Sequence, residues 1–245
     1  MPMLNEFGQP IGSALPGWSP RPPPTDEPML GRWARLERAD VERHAADLYE
    51  ANAHDETGRM WTYMSYGPFA DLAAYCDWMR HACSASDPMF FAIIDVGRSA
   101  AVGLASYLRI DPTNGCIEVG HLAFSPLLQR TPVATEAMYL MMKRVFAAGY
   151  RRYEWKCDAL NAASRTAAER LGFCYEGTFR QATIVKGRNR DTAWYSMLDV
   201  EWPLIDAAFR EWLADSNFDA SGRQRVPLSK LTRQAHRRLE GGASG

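Results

Sequence analysis

The chain predicts a mixed α/β fold, a mainly antiparallel sheet flanked by helices. Three strand-like runs lie between residues 89 and 124, separated by turn clusters, in the pattern of an antiparallel meander. A strongly apolar helical stretch at 132–148 then alternates with strand patterns at 151–158 and 173–186. The order, strands first and then strand–helix–strand–helix–strand–strand, fits one α/β domain. With 245 residues, 47% hydrophobic and 23% charged, the chain has enough apolar surface for a single well-buried core.

Residues 1–29 form a Pro-rich extended arm. Pro2, Pro10, Pro16, Pro20, Pro22, Pro23, Pro24 and Pro28 fix the backbone and remove donors, which excludes helix and central strand there. Leu15 and Trp18 are its expected anchors. The main domain spans 30–215. Residues 32–36 alternate as a first strand, and Asp40 offers an N-cap to a helix running to residue 52. A second helix covers 69–85, with the aromatic loop Trp61-Thr-Tyr-Met-Ser-Tyr-Gly-Pro68 between the two. Strands at 89–96, 100–110 and 116–124 are parted by Gly97 and Asp111-Pro-Thr-Asn-Gly115. The 132–148 helix stops at Gly149. After it come a strand at 151–158, a helix at 162–171 and strands at 173–186 and 192–200 around a 187–191 turn. A helix at 204–214 closes the domain, and residues 216–245 are a basic extension.

Composition excludes several functional classes. A net charge of −1 argues against whole-molecule affinity for nucleic acid or membrane. No apolar window is long enough to span a bilayer. The first residues carry neither a basic nor an apolar leader segment, so a cytoplasmic location is expected. The cysteines Cys76, Cys83, Cys116, Cys157 and Cys174 are five in number with no Cys-x-x-Cys spacing. With the histidines equally scattered, no metal site is expected, and the thiols read as reduced, buried small hydrophobes.

Two stretches carry the chemistry. Gln129-Arg-Thr-Pro-Val-Ala134 leads into the apolar helix, and a helix N-terminus offers unpaired N–H groups and partial positive charge to phosphate. Asn161-x-x-Ser164-Arg165 opens the next helix, and Glu169-x-Leu171-Gly172-Phe173-x-x-Glu176-Gly177 closes it into a strand. Together they resemble the cofactor-binding motifs of the GNAT acyltransferase superfamily, which uses the acyl-CoA N-acyltransferase fold. The resemblance is closest to its ribosomal-protein N-terminal acetyltransferase branch and covers residues 30–202. It implies acetyl-CoA as co-substrate. Gln129, Arg130, Thr131, Val133, Ala134 and Thr135 would hold the pyrophosphate, and Asn161 and Arg165 would flank the pantetheine. Backbone groups of Leu122, Ala123 and Phe124 would polarise the thioester carbonyl. Pro132 departs from the pattern, standing where the family has glycine. It suits the first helical turn but removes one donor, which Arg130, Thr131 or Thr135 would replace.

Acetyl transfer to an amine needs a proton acceptor for the amine and stabilisation of the departing thiolate. Glu118, where the branch keeps a glutamate, is the implied base, and His121 is its rival with the more suitable intrinsic pKa. Strand alternation puts these two on opposite faces. Ser164 is the implied acid and Tyr175 the fallback, although Ser164 could equally make only a local backbone bond. The acceptor would sit against residues 52–68 and the 187–191 turn, where Trp61, Tyr63 and Tyr66 either bind it or cap the core. A protein N-terminal amine is the acceptor implied by the branch. A small-molecule amine or antibiotic, and a CoA-binding module without catalysis, are the alternatives. In the tail, Arg223, Arg225, Lys230, Arg233, Arg237 and Arg238 accompany a stripe of Leu228, Leu231, Ala235 and Leu239. That pattern fits either a helix packed on its own domain or a cationic contact with a ribosome or RNA.

Overall fold

The computed structural model describes residues 3–242; Pro2 of the arm and positions 243–245 of the tail lie outside the described residues. Two short strands, β1 (Met3–Leu4) and β2 (Pro10–Ile11), pair as a small separate hairpin. The arm then runs along the main domain. Trp18 is its anchor: its indole N–H donates to the Thr113 carbonyl at 2.9 Å, and the ring lies against Gly115. Further on, Tyr150 and Arg144 donate to the carbonyls of Pro22, Thr25 and Pro28. Leu15 is exposed and anchors nothing.

The main sheet comprises β3 (Met29–Leu30), β4 (Ala34–Arg38), β5 (Met89–Asp95), β6 (Ala100–Asp111), β7 (Cys116–Phe124), β8 (Arg152–Asp158), β9 (Cys174–Val185) and β10 (Arg188–Leu198). They lie in the order β3-β4-β5-β6-β7-β8-β10-β9. Every neighbouring pair is antiparallel except β7 and β8. The β9–β10 turn is tighter than residue types suggest: Val185 pairs with Arg188, leaving Lys186 and Gly187, both at positive φ, as a two-residue turn.

Among the described residues six α-helices cover the sheet. On one face lie α1 (Val41–Ala53), capped by Asp40, and α2 (Leu72–Ala82), capped by Asp71. They bury Leu48, Tyr75 and Met79 against Phe90, Ala92 and Ile94. On the other face lie α3 (Pro132–Ala147), α4 (Ala162–Arg170), α5 (Trp202–Leu213) and α6 (Leu228–Gly242). This larger core contains Ile117, Val119, Tyr153, Trp155 and Tyr195 from the sheet. The α6 stripe belongs to it: Leu228, Leu231 and Ala235 are buried, while Lys230, Arg233, Arg237 and Arg238 face solvent. The helix runs on through Gly241 to Gly242, the glycine pair that would end its pattern in sequence. Among the described residues no helix is long and apolar enough to cross a membrane.

Candidate active site

The one parallel pair of the sheet comes apart. β7 and β8 pair only from Cys116–Arg152 to Val119–Trp155. Beyond that register β8 continues on β10 alone, and β7 on β6 alone. Residues 120–124 of β7 and 156–158 of β8 therefore border a cleft with unpaired backbone groups on its edges, an opening that an extended, amide-bearing chain can fill.

A bulge sits where the strands part. Ser106 pairs with Gly120 but Leu104 with Ala123, so β7 carries one residue more than its partner. His121 absorbs it at φ 51°. The side-chain parity inverts there: Ile117 and Val119 face the α3 side, and so do Leu122 and Phe124, whereas Ala123 faces α1 and α2. His121 thus packs on Tyr66, stacked at 5.7 Å, and on Phe90, on the α1–α2 face that Glu118 also occupies. The opposite-face expectation for Glu118 and His121 is corrected by this single inserted residue.

Glu118 is 6% exposed. Its Oε2 accepts from Lys156 Nζ at 2.8 Å and lies 3.5 Å from Arg109 Nε. Its Oε1 lies over Gly120, 3.7 Å from where a Cβ would stand, and takes no protein hydrogen bond among the described residues. Burial raises the carboxyl pKa, with Lys156 and Arg109 opposing. Lys156 also bonds Glu154 at 2.7 Å and sits 3.7 Å from the Trp194 ring centre. The β8 pattern Arg152-Tyr-Glu-Trp-Lys156 alternates charged and aromatic residues, and that alternation was the only sequence sign of this network. Burial lowers the His121 pKa, so its ring is neutral at pH 7.

On the other face, Asn161 caps α4 by accepting from the Ser164 N–H at 3.1 Å. Ser164 Oγ accepts from Trp155 Nε1 at 3.0 Å and adjoins Cys157, whose thiol pKa is raised by burial. Ser164 therefore lies beside β8 at the cleft. Tyr175 does not: it is on β9, with β10 between it and β8, and its hydroxyl pairs with Thr178 at 2.8 Å. The Arg165 guanidinium is turned to the Tyr195 hydroxyl and the Ala159 carbonyl.

At the head of α3 few donors remain. Pro132 has no N–H, and the Ala134 N–H goes to Thr131 Oγ1 at 3.2 Å. Thr131 Oγ1 in turn donates to the Leu128 carbonyl at 2.6 Å. Gln129 is tied to the Phe124 carbonyl at 2.8 Å. Val133 and Ala134 are buried, and so is Thr135, whose hydroxyl accepts from Arg170 at 3.2 Å. The expected replacements for the missing glycine donor thus reduce to Arg130, exposed at φ 62°. Arg170 joins it: burial lowers its pKa, and among the described residues no carboxylate pairs with it. A cation with no counter-charge at a helix N-terminus is unfavourable unless an anion joins it. Arg170 lacks any signal in sequence beyond its place before Leu171-Gly172.

The aromatic loop roofs the cleft. Tyr63 donates to the Leu160 carbonyl at 3.2 Å, and Lys186 bonds the carbonyls of Trp61 at 2.8 Å and Gly67 at 2.7 Å. Trp61 and Tyr66 are packed among Phe69 and Trp78.

Residues 35–174 match the family model for an acetyltransferase (GNAT) domain. The chain belongs to the GNAT acetyltransferase family. It is an acetyl-CoA-dependent acyltransferase with the GNAT fold. A GCN5-related N-acetyltransferase from Brucella melitensis is 44% identical, with 89% of this chain and 100% of that one covered and a TM-score of 0.88. A probable acetyltransferase (GNAT family) from Chromobacterium violaceum is 41% identical over 80% of this chain and 98% of that one, at a TM-score of 0.74. RimL, a ribosomal L7/L12 alpha-N-protein acetyltransferase, shares the fold at 19% identity and a TM-score of 0.61, over 74% and 99% of the two chains. No curated protein sequence matches the chain.

Proposed function

We propose that this acetyltransferase transfers the acetyl group of acetyl-CoA directly to a protein N-terminal amine, in a ternary complex without a covalent intermediate. The observation that carries the mechanism is the Glu118 oxygen left free at the parting of β7 and β8. Lys156 and Arg109 orient the carboxylate through Oε2, and Oε1 accepts the ammonium proton, directly or through a water. The resulting neutral amine attacks the thioester carbon, while N–H groups of residues 122–124 stabilise the oxyanion. The Ser164 hydroxyl, held by Trp155, hydrogen-bonds the departing thiolate and relays to it the second proton, which the attacking nitrogen sheds as the carbon–sulfur bond breaks and the amide forms. Asn161 flanks the pantetheine, and Arg130 and Arg170 take the phosphates at the head of α3.

The N-terminal amine as acceptor is supported by a wide recess of about 720 Å³ along the β9–β10 hairpin, lined by Phe179, Arg180, Gln181, Asn189 and Asp191. It begins one position beyond the Asp158–Thr192 pair, at the end where the cleft opens. The exposed cations of α6 suit a salt-sensitive contact with RNA if that substrate is ribosome-bound. The five free cysteines support a reducing compartment, the cytoplasm. A small-amine acceptor would instead use the recess of about 280 Å³ between α1 and the aromatic loop, where Asp55 and Asn52 meet Trp61 and Tyr75.

Thiol release from acetyl-CoA with a panel of acceptors decides between them. Peptides with free N-termini should be acetylated and their blocked counterparts left alone; turnover of small amines only would overturn the acceptor. Glu118→Gln should cut turnover by about 10²-fold or more with CoA affinity intact. The same loss in His121→Ala, with Glu118→Gln active, would transfer the base role to His121.

A further inference from the structure

We infer that Cys174, Glu201 and His236 form a zinc-type metal site that clamps the C-terminal helix to the acetyltransferase core. The three residues are far apart in sequence, and the scatter of cysteines and histidines that argues against a metal site along the chain is removed by the fold at this one place. The fold brings them together from the start of β9, the N-cap of α5 and the middle of α6. Cys174 Sγ lies 3.8 Å from Glu201 Oε1 and 3.8 Å from His236 Nδ1, and all three ligand atoms are within 4.8 Å of one another. Tetrahedral zinc with bonds of about 2.3 Å to sulfur and about 2.0–2.2 Å to nitrogen and oxygen separates such ligand atoms by about 3.6 Å. The two distances from the sulfur are close to that, and rotation of the Glu201 and His236 side chains closes the third.

The protons point the same way. His236 Nε2 lies 3.0 Å from the Gly172 carbonyl, which only accepts, so Nε2 carries the hydrogen and Nδ1 presents a lone pair to the sulfur. Glu201 Oε2 accepts from the Leu198 N–H at 2.7 Å, which aims Oε1 at the same centre. A single thiol proton thus serves three lone-pair donors. A divalent cation satisfies all three, and the backbone contacts behind His236 and Glu201 are the kind that orient metal ligands. Glu240 follows His236 by one helical turn of α6 and adds negative charge near the three ligands. Thiolate, imidazole and carboxylate together select a borderline-soft ion of the zinc class over magnesium or calcium. All three residues are half-buried, which leaves a fourth position for water. On binding, the S–H bond breaks, a metal–sulfur bond forms and the proton leaves to buffer. Cys174 directly follows the Gly172-Phe173 exit from α4, whose other end carries Asn161 and Ser164, so the ion would tie α6 to the helix beside the cleft.

Cobalt tests the site in the full-length, reduced and chelator-stripped protein. One Co²⁺ per chain should give a thiolate-to-cobalt charge-transfer band that zinc abolishes by displacement. Zinc at about a hundred times its Kd should raise the unfolding midpoint by roughly 5–10 °C. Cys174→Ser and Glu201→Gln should lose both effects, and Cys116→Ser should keep them. Absence of the band in the unaltered protein, or its survival in Cys174→Ser, would overturn the proposal.

Discussion

Glu136 provides the sharpest test of how α3, the helix proposed to hold the phosphates, is tied down. From the second turn of α3 its carboxylate accepts the backbone N–H of Arg32 at 2.9 Å through Oε1, and those of Trp33 at 2.6 Å and Ala34 at 2.7 Å through Oε2. The residue is 6% exposed. Gly31 wraps so closely that an added Cβ would stand 2.5 Å from the Glu136 carboxyl carbon. Changing Glu136 to Gln keeps the shape. One amide oxygen can hold the Trp33 and Ala34 donors, but without charge, at a loss of about 1 kcal/mol each. The amide nitrogen then faces the Arg32 N–H donor to donor, and that bond, about 1.5–3 kcal/mol when charge-assisted, goes. Because the Arg32 N–H bond is only part-buried, water recovers some of this, and the net loss is about 2–4 kcal/mol. At about 2–4 °C per kcal/mol for a chain of this size, the unfolding midpoint should fall by roughly 5–15 °C. Urea unfolding should show a lower midpoint at an unchanged slope, and CoA affinity should weaken because α3 has lost its tie to β4. A variant within about 0.5 kcal/mol of the parent, the range of an ordinary surface change, would refute the carboxylate's role.

Two further outcomes follow from the same geometry. Thr131→Glu sets a negative charge at the head of α3 and should reduce CoA affinity at least tenfold, about 1.4 kcal/mol by calorimetry; Arg170→Met should shift it in the same direction, and unchanged affinity in both would move the phosphates elsewhere. His44, buried, and His121, half-buried, both have pKa lowered chiefly by burial, so the unfolded chain binds more protons than the folded one as pH falls below about 6.5. Their stabilisation is complete above that pH and is lost on acidification towards the folded pKa values, at up to about 1.4 kcal/mol per pH unit for each group. The unfolding midpoint should drop between pH 7 and 5.5, less steeply in His121→Asn, which tolerates the same positive φ; a flat profile would contradict the neutral rings.

Much of the architecture was legible in sequence because its signals are local. The strand at Cys116–Phe124, the Asp40 cap and Pro132 at the head of α3 each depend on a few neighbouring residues; the turn expected at 187–191 closes instead at Lys186-Gly187, because Arg188 to Asp191 belong to β10. The motifs at 129–135 and 161–177 pointed to the family for the same reason, since each is a run of contiguous residues at a helix start. Other features required the folded chain. The face on which His121 lies depends on how many residues β6 sets against β7, and one inserted residue reverses every later side chain. Glu136 reads as an ordinary helix-surface residue until a strand entry 104 positions away folds its amides around it. Cys174, Glu201 and His236 meet only because α5 and α6 return to the exit of α4. Residues within one element are related by the period of the backbone, which sequence carries; residues in different elements are related by register and packing, which exist only once the elements have met.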